Sequence, residues 1–167
     1  AVRLSAAEAL GKIGDPRAVE PLWLLIGQGS DPARRSALEA LGAIPGAAAL
    51  ARLVTAAKEL SADRELTSVV KILKARAAPS GIPGLVAIAQ RGSSAVRVSA
   101  IYALAVLGLD GNATAVLRRS LGSRDSAMRQ AALWTIGRLV PEELERDLIA
   151  ALSRENGKLR APMLAAL

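Results

Sequence analysis

The sequence contains no cysteine, no histidine and no phenylalanine, and only one tyrosine and two tryptophans. Without cysteine there is no disulfide framework and no thiolate chemistry. Without histidine the commonest general base and the commonest transition-metal ligand are both missing. Zinc sites of the usual His or Cys kind and serine–histidine catalysis are therefore excluded. The scarcity of aromatic residues argues against a β-sandwich or barrel, whose strands favour Val, Ile, Thr and aromatic side chains. Long apolar runs are missing too. The uncharged stretch from Val98 to Leu109 is far shorter than the roughly 18–20 residues a membrane span requires. The opening residues Ala1-Val2-Arg3-Leu4-Ser5 carry no secretory signal pattern. They begin without Met, inside a helical pattern, so residues 1–167 read as one array cut from a longer protein. A cytoplasmic location is the expectation.

What the sequence does contain is alanine and leucine, within a hydrophobic content of 51%. Alanine is the best helix former and its small side chain lets helices approach closely. Composition alone thus favours an all-α protein. The formal net charge is +7, which bears on partners rather than on fold. The excess is spread along the chain, with one lopsided stretch. Between Glu65 and Asp110 there is no acid, but there are Lys71, Lys74, Arg76, Arg91 and Arg97.

A segment recurs. Val2-Arg3-Leu4-Ser5-Ala6-Ala7-Glu8-Ala9-Leu10-Gly11 returns as Ala33-Arg34-Arg35-Ser36-Ala37-Leu38-Glu39-Ala40-Leu41-Gly42. It returns again over Val96–Ala105, Met128–Gly137 and Leu159–Leu167. Arg3 to Arg34 is 31 residues, Arg34 to Arg97 is 63, Arg97 to Arg129 is 32 and Arg129 to Arg160 is 31. The gap of 63 holds two periods, and its middle copy is a degenerate segment near Glu65–Leu73. Fixed spacing of this kind marks a repeat architecture. In the first copy Val2, Ala6, Ala9, Leu10 and Ile13 fall on one helical stripe. Second amphipathic segments lie between the copies, as at Val19–Ile26, Leu50–Val54, Leu85–Ala89 and Leu144–Ile149.

Punctuation fits two helices per repeat. Asp15-Pro16 and Asp31-Pro32 place a capping carboxylate before a Pro at a helix start. Ser93, Asp125 and Asn156 are positioned to cap later copies, and Gly14, Gly27, Gly108 and Gly157 stand at expected helix ends. One helix pair cannot bury both its faces, so the pairs stack into a continuous core. The expectation is an α-solenoid of about five and a half helical hairpins with a period of 31–32 residues.

The run Val2-Arg3 through Ala9-Leu10-Gly11-Lys12-Ile13-Gly14-Asp15-Pro16-Arg17-Ala18-Val19-Glu20-Pro21-Leu22 resembles the HEAT-like repeats named after phycobilisome (bilin) lyases. The resemblance extends over nearly the whole chain and is weakest in the third repeat and at 108–116. It implies a right-handed α-solenoid of HEAT-like helical hairpins. It also implies that the Val-Arg helix lines an inner, concave face. On that helix, the residue after the Arg and those four and eight further along would point into the groove. Carried over, these are Leu4, Glu8 and Lys12; Arg35, Glu39 and Ala43; Leu66, Val70 and Lys74; Val98, Tyr102 and Val106; Gln130, Trp134 and Arg138; and Ala161 and Ala165. Residues four apart share a helix face.

Tyr102 and Trp134 hold the same repeat position in neighbouring copies. Aromatic residues and Arg dominate binding hot spots, so Tyr102, Trp134, Val98, Val106, Gln130 and Arg138 form the candidate partner-binding patch. Arg35, Glu39, Glu8, Lys12 and Lys74 extend it. The alternative is that the two rings only pack between repeats. Trp23, on the second helix of its repeat, reads as core.

The repeated Arg3, Arg34, Arg97, Arg129 and Arg160 invite a nucleic-acid reading, since a row of arginines suits phosphates. The resemblance instead implies a structural ladder in which each Arg pairs with loop acids or carbonyls of neighbouring repeats, with Asp31 and Asp125 placed to accept. Some HEAT-like arrays bind DNA on a basic concave surface, alkylbase glycosylases among them. The acid-free stretch keeps that alternative open beside a dock for an acidic protein.

Enzyme readings have little support. Deoxyhypusine hydroxylase uses such repeats, but its di-iron site needs His-Glu motifs. Glu8 and Glu39 align on successive helices and leave carboxylate chemistry conceivable, although surface glutamates are mostly just solvated. Gly81-Ile82-Pro83-Gly84 lacks the Gly-x-x-x-x-Gly-Lys pattern of a phosphate loop. The expectation is a scaffold that binds another protein, with no catalytic residues, no metal and no cofactor. A nucleic-acid-binding protein is the first alternative and a bilin lyase-type subunit, by resemblance alone, the second.

Overall fold

A computed structural model of the chain describes residues 2–154, with side chains to residue 151. Every regular element in that span is helical. The helices are α1 (Val2–Ile13), α2 (Val19–Gln28), α3 (Asp31–Ala43), α4 (Ala47–Glu59), α5 (Asp63–Arg76), α6 (Ile82–Ala89), α7 (Ser94–Leu107), α8 (Gly111–Leu121), α9 (Ser126–Leu139) and α10 (Glu145–Arg154). Short 3-10 turns at Pro16–Ala18, Pro79–Gly81 and Glu142–Leu144 lead into α2, α6 and α10. The described residues thus hold five hairpins, each repeat opening on an odd-numbered helix. The copy expected from Leu159, with Arg160, Ala161 and Ala165 and the cap Asn156, lies outside the described residues.

Each odd helix packs on the next odd helix, and each even helix on the next even one. Even helices also rest against the odd helix that follows them, as α2 does on α3 and α6 on α7. One apolar cluster runs from Ala7 to Ala151 without interruption. This is the continuous core that stacked hairpins require.

Small side chains set the distance between layers. A Cβ built on Gly11 of α1 would lie 2.8 Å from the Ala40 Cα of α3. One built on Gly42 of α3 would lie 2.7 Å from the Ile72 Cγ2 of α5. The glycine closing each of these copies is therefore a seat for the next helix. The stripe Val2, Ala6, Ala9 and Ile13 is open, with Val2 83% and Ile13 70% exposed, because no described helix precedes α1. The corresponding residues of α3, Ala33, Ala37, Ala40 and Ile44, are buried under α1.

Several cap assignments shift by a residue. Asp15 accepts from the Arg17 N–H at 2.8 Å, as an Asp-Pro start requires. Ser30, not Asp31, is the N-cap of α3, and Asp31 joins the first turn, where a carboxylate suits the helix dipole. Gly14 and Gly108 adopt positive φ beyond their helices, whereas Gly27 lies inside α2 and Gly29 ends it.

The Gly11 seat makes a direct prediction. Gly11→Ala gains about 1 kcal/mol of helix propensity. It also drives a methyl into backbone that cannot rotate away, and overpacking of this kind costs about 1–3 kcal/mol. A thermal melt should show a lower Tm. An unchanged or higher Tm would mean that the two helices slide apart freely.

Candidate partner-binding face

Residues four apart on each odd helix lie on one face of the array. On α1 and α3 this face carries Glu8, Lys12, Arg35 and Glu39, all exposed. On α7 it carries Val98 and Tyr102, half-buried against the core, and Val106, 43% exposed. On α9 it carries exposed Gln130 and Arg138 flanking Trp134, which is 49% exposed. The rings of Tyr102 and Trp134 meet edge to face, with centroids 5.2 Å apart and planes at 76°. That geometry suits the ring quadrupoles. The Arg138 guanidinium carbon lies 5.8 Å from the Trp134 centroid, within cation–π range.

A buried hydrogen bond sets this arrangement. Thr135, fully buried, donates its hydroxyl to the Ile101 carbonyl of α7 at 3.1 Å. Ile101 precedes Tyr102, and Trp134 precedes Thr135. The bond therefore fixes the register of α9 on α7 next to the two rings. The repeat pattern places Thr135 at the position of Ala40 and Ile72, so the only sequence signal was a hydroxyl where its counterparts are apolar.

The third hairpin corrects the sequence reading. Leu66 and Val70, expected in the groove, are buried in the core at 1% and 4% exposure. Helix α5 begins at Asp63 as α3 begins at Asp31, so Leu66 takes the place of the ladder arginine. The outward positions fall one residue later, on Thr67, Lys71 and Ala75. Lys74 is exposed, but it occupies the place of the Gly11 and Gly42 seats rather than a groove position.

Three of the five ladder arginines, Arg34, Arg97 and Arg129, have backbone or carboxylate partners. Arg34 donates to Glu65 Oε1 at 2.9 Å and to the Gly29 carbonyl at 3.3 Å. Its acid is thus on the next hairpin, not the expected Asp31. Arg97 donates to the Ala89 carbonyl at 3.2 Å, and Arg129 to the Ser123 carbonyl at 2.9 Å. Arg3 is exposed, and Arg160 lies outside the described residues. Arg76, from the acid-free stretch, donates to the Ile44 carbonyl at 2.6 Å and the Gly46 carbonyl at 3.0 Å, just past the end of α3. A cation there also suits the helix dipole. Of the cations in that stretch, Lys71, Lys74 and Arg91 are the exposed ones.

A polar seam crosses the starts of the odd helices. Asp63 accepts from the Ser93 N–H at 3.1 Å, the Ser94 hydroxyl donates to Asp125, and Asp125 caps α9 through the Ala127 N–H at 2.9 Å. The Ser93 hydroxyl and N–H hold the Asp63 carboxyl below its ordinary range. The Ser94 hydroxyl, then the Ala127 and Met128 N–H groups and the Arg97 charge, do the same for Asp125. On the opposite layer, half-buried Trp23 packs on the core with the Arg52 guanidinium 5.3 Å from its ring centroid. Arg52 also pairs with Glu20 at 2.6 Å.

Among the described residues, no group of three or more His, Cys, Asp or Glu side chains could hold a metal ion. No described helix is long and apolar enough to cross a membrane. Residues 1–74 match a family model described as HEAT repeats, and the hairpins from α6 onward continue the same stacking. The match is to HEAT repeats as a class. No curated protein matches the chain.

Two predictions follow from this geometry. Thr135→Val removes the α9–α7 hydrogen bond at a cost of about 1 kcal/mol. The Trp134 indole should then gain mobility, read as lower fluorescence anisotropy in a Trp23→Phe background; unchanged anisotropy would show that ring packing alone holds the register. The seam carboxylates have lowered folded-state pKa values. Their contribution to stability is therefore complete above the unfolded carboxylate value of about 3.9 and is lost as pH falls below it. Asp125→Asn should lower Tm at neutral pH, and its melting curve should converge with wild type in acid. A gap that persists in acid would separate Asp125 from the acid limb of stability.

Proposed function

We propose that this chain, whose residues 1–74 match HEAT repeats, is a scaffold that binds another protein on the odd-helix face around Trp134. HEAT repeats commonly serve as protein-interaction scaffolds. The observation that carries the proposal for this chain is Trp134. Its indole is half exposed and touches Tyr102 edge-on, and Val106, one turn beyond Tyr102 on α7, is exposed as well. A solitary exposed apolar residue needs no explanation, but a Trp–Tyr–Val cluster rimmed by Gln130 and Arg138 has the make-up of a binding hot spot.

Helix packing supports placing this face on the inside of the curve. Odd helices pack together more extensively than even ones at every step except α3–α5. The more tightly packed layer of a two-layer stack is the inner one. A surface preassembled in this way loses little conformational freedom on binding. The reading assigns no catalytic residue. Glu8 and Glu39 are exposed positions on the same face.

Trp134→Ala should cost roughly 2 kcal/mol or more of partner affinity, about thirtyfold in Kd, and Tyr102→Ala somewhat less. Both variants should keep a near-native Tm. The partner would first be captured on the wild-type protein, then measured by calorimetry against each variant. Melting like a cavity mutant with unchanged affinity would assign both rings to packing alone.

A further inference from the structure

The charge around the aromatic cluster has one sign, and that narrows the partner. Helices α7 and α9 contain no Asp or Glu. The acids of α5, Asp63 and Glu65, stand in its first turn and are committed to Ser93 and to Arg34. The cations that remain near this face are exposed: Lys71 at the repeat position of Tyr102 and Trp134, Lys74 one turn further along α5, and Arg138 over the indole. The same repeat position on α1 and α3 carries Glu8 and Glu39. The face is therefore mixed in charge at its first two hairpins, where Lys12 and Arg35 stand beside Glu8 and Glu39, and acid-free at its outward positions, with an apolar centre, over the next three.

We infer that the occupant of this face is an acidic protein segment that lies across α5, α7 and α9 and inserts one bulky apolar side chain against Tyr102, Val106 and Trp134. The inference rests on the binding reading above. Carboxylates on either side of the inserted residue meet Lys71 and Lys74 at one end and Arg138 at the other. Arg138 has a double part, because a guanidinium stacked on a ring keeps its N–H fork in the ring plane's periphery for a carboxylate.

Nucleic acid fits these observations less well. Arg34, Arg97 and Arg129 of the basic row are turned onto carbonyls, and Lys71, Lys74 and Arg138 by themselves neutralise few phosphates. Base stacking needs an open ring face, whereas Arg138 covers one face of Trp134 and the Tyr102 ring crowds its flank.

A random peptide display library selected on the immobilised full chain tests this directly. The expected enrichment is for peptides with Asp or Glu on both sides of Leu, Phe, Met or Trp. A synthetic peptide of the enriched sequence should lose about thirtyfold in affinity on Trp134→Ala and roughly fivefold on Arg138→Glu or Lys71→Glu. Lys58→Glu on α4, away from this face, should change nothing, and melts of all variants should match wild type. Enrichment of apolar peptides without acids, or of basic ones, overturns the acidic inference and leaves the binding face standing. Binders indifferent to Trp134→Ala, or no enrichment above an unrelated helical protein, overturn both. Displacement of the selected peptide by an oligothymidylate probe, with a steep fall in probe affinity as salt rises, replaces the acidic segment with nucleic acid.

Discussion

Ala40 approaches α1 so closely that no side chain fits at residue 11. That contact, repeated with variation along the odd helices, is the constraint on which the other features depend. It brings successive odd helices together, places residues of equal repeat position side by side, and closes the core that a single hairpin cannot close. The variation matters as much as the repetition. Glycine seats Ala40 and Ile72, whereas at the α7–α9 step Thr135 adds a hydrogen bond to the Ile101 carbonyl. The step with the added directional bond is the one that carries the aromatic pair.

Close stacking leaves carbonyls at helix ends and in loops that need donors, since buried backbone groups are costly to leave unpaired. The arginines supply them. Arg34, Arg97 and Arg129 reach the carbonyls of the segment preceding their own helix, and Arg76 those closing α3. Guanidinium suits the task because its planar fork serves two acceptors at once, as Arg76 does with Ile44 and Gly46. The charge of these four arginines is thus a component of the fold. Counting it as surface potential overstates the attraction to polyanions.

The repeat period was legible from the arginines, and with it the helix pairs and the adjacency of Tyr102 and Trp134. Periodicity indexes residues that are far apart in sequence, and the index is reliable wherever the copies carry their markers. The third copy has lost its marker to Leu66. One buried leucine in place of a charged residue shifted the alignment by a single position, which put Val70 in the groove and left Lys71 out. The seam between Asp63, Ser93, Ser94 and Asp125 was only half legible. Capping potential shows in a sequence, but whether a carboxylate caps its own helix or clasps the neighbouring one depends on the spacing between hairpins. The Thr135 bond was not legible, because a lone threonine inside an apolar helix carries no directional signal.

The division of labour among positively charged residues gives the face its character. Structural arginines are half-buried and fixed by carbonyls, while Lys71, Lys74 and Arg138 stand exposed on or beside groove positions. A repeat array builds its frame from positions that must match from copy to copy and its surface from positions that need not. On this chain the non-matching positions run from Glu8 and Glu39 through Lys71 to Tyr102 and Trp134. The change from acid to base to aromatic along one row leaves most of the stacking to other positions of the same helices, the Tyr102–Trp134 contact excepted. The sequence is free to vary there, and it has placed its two groove aromatics side by side where no acid opposes an acidic partner.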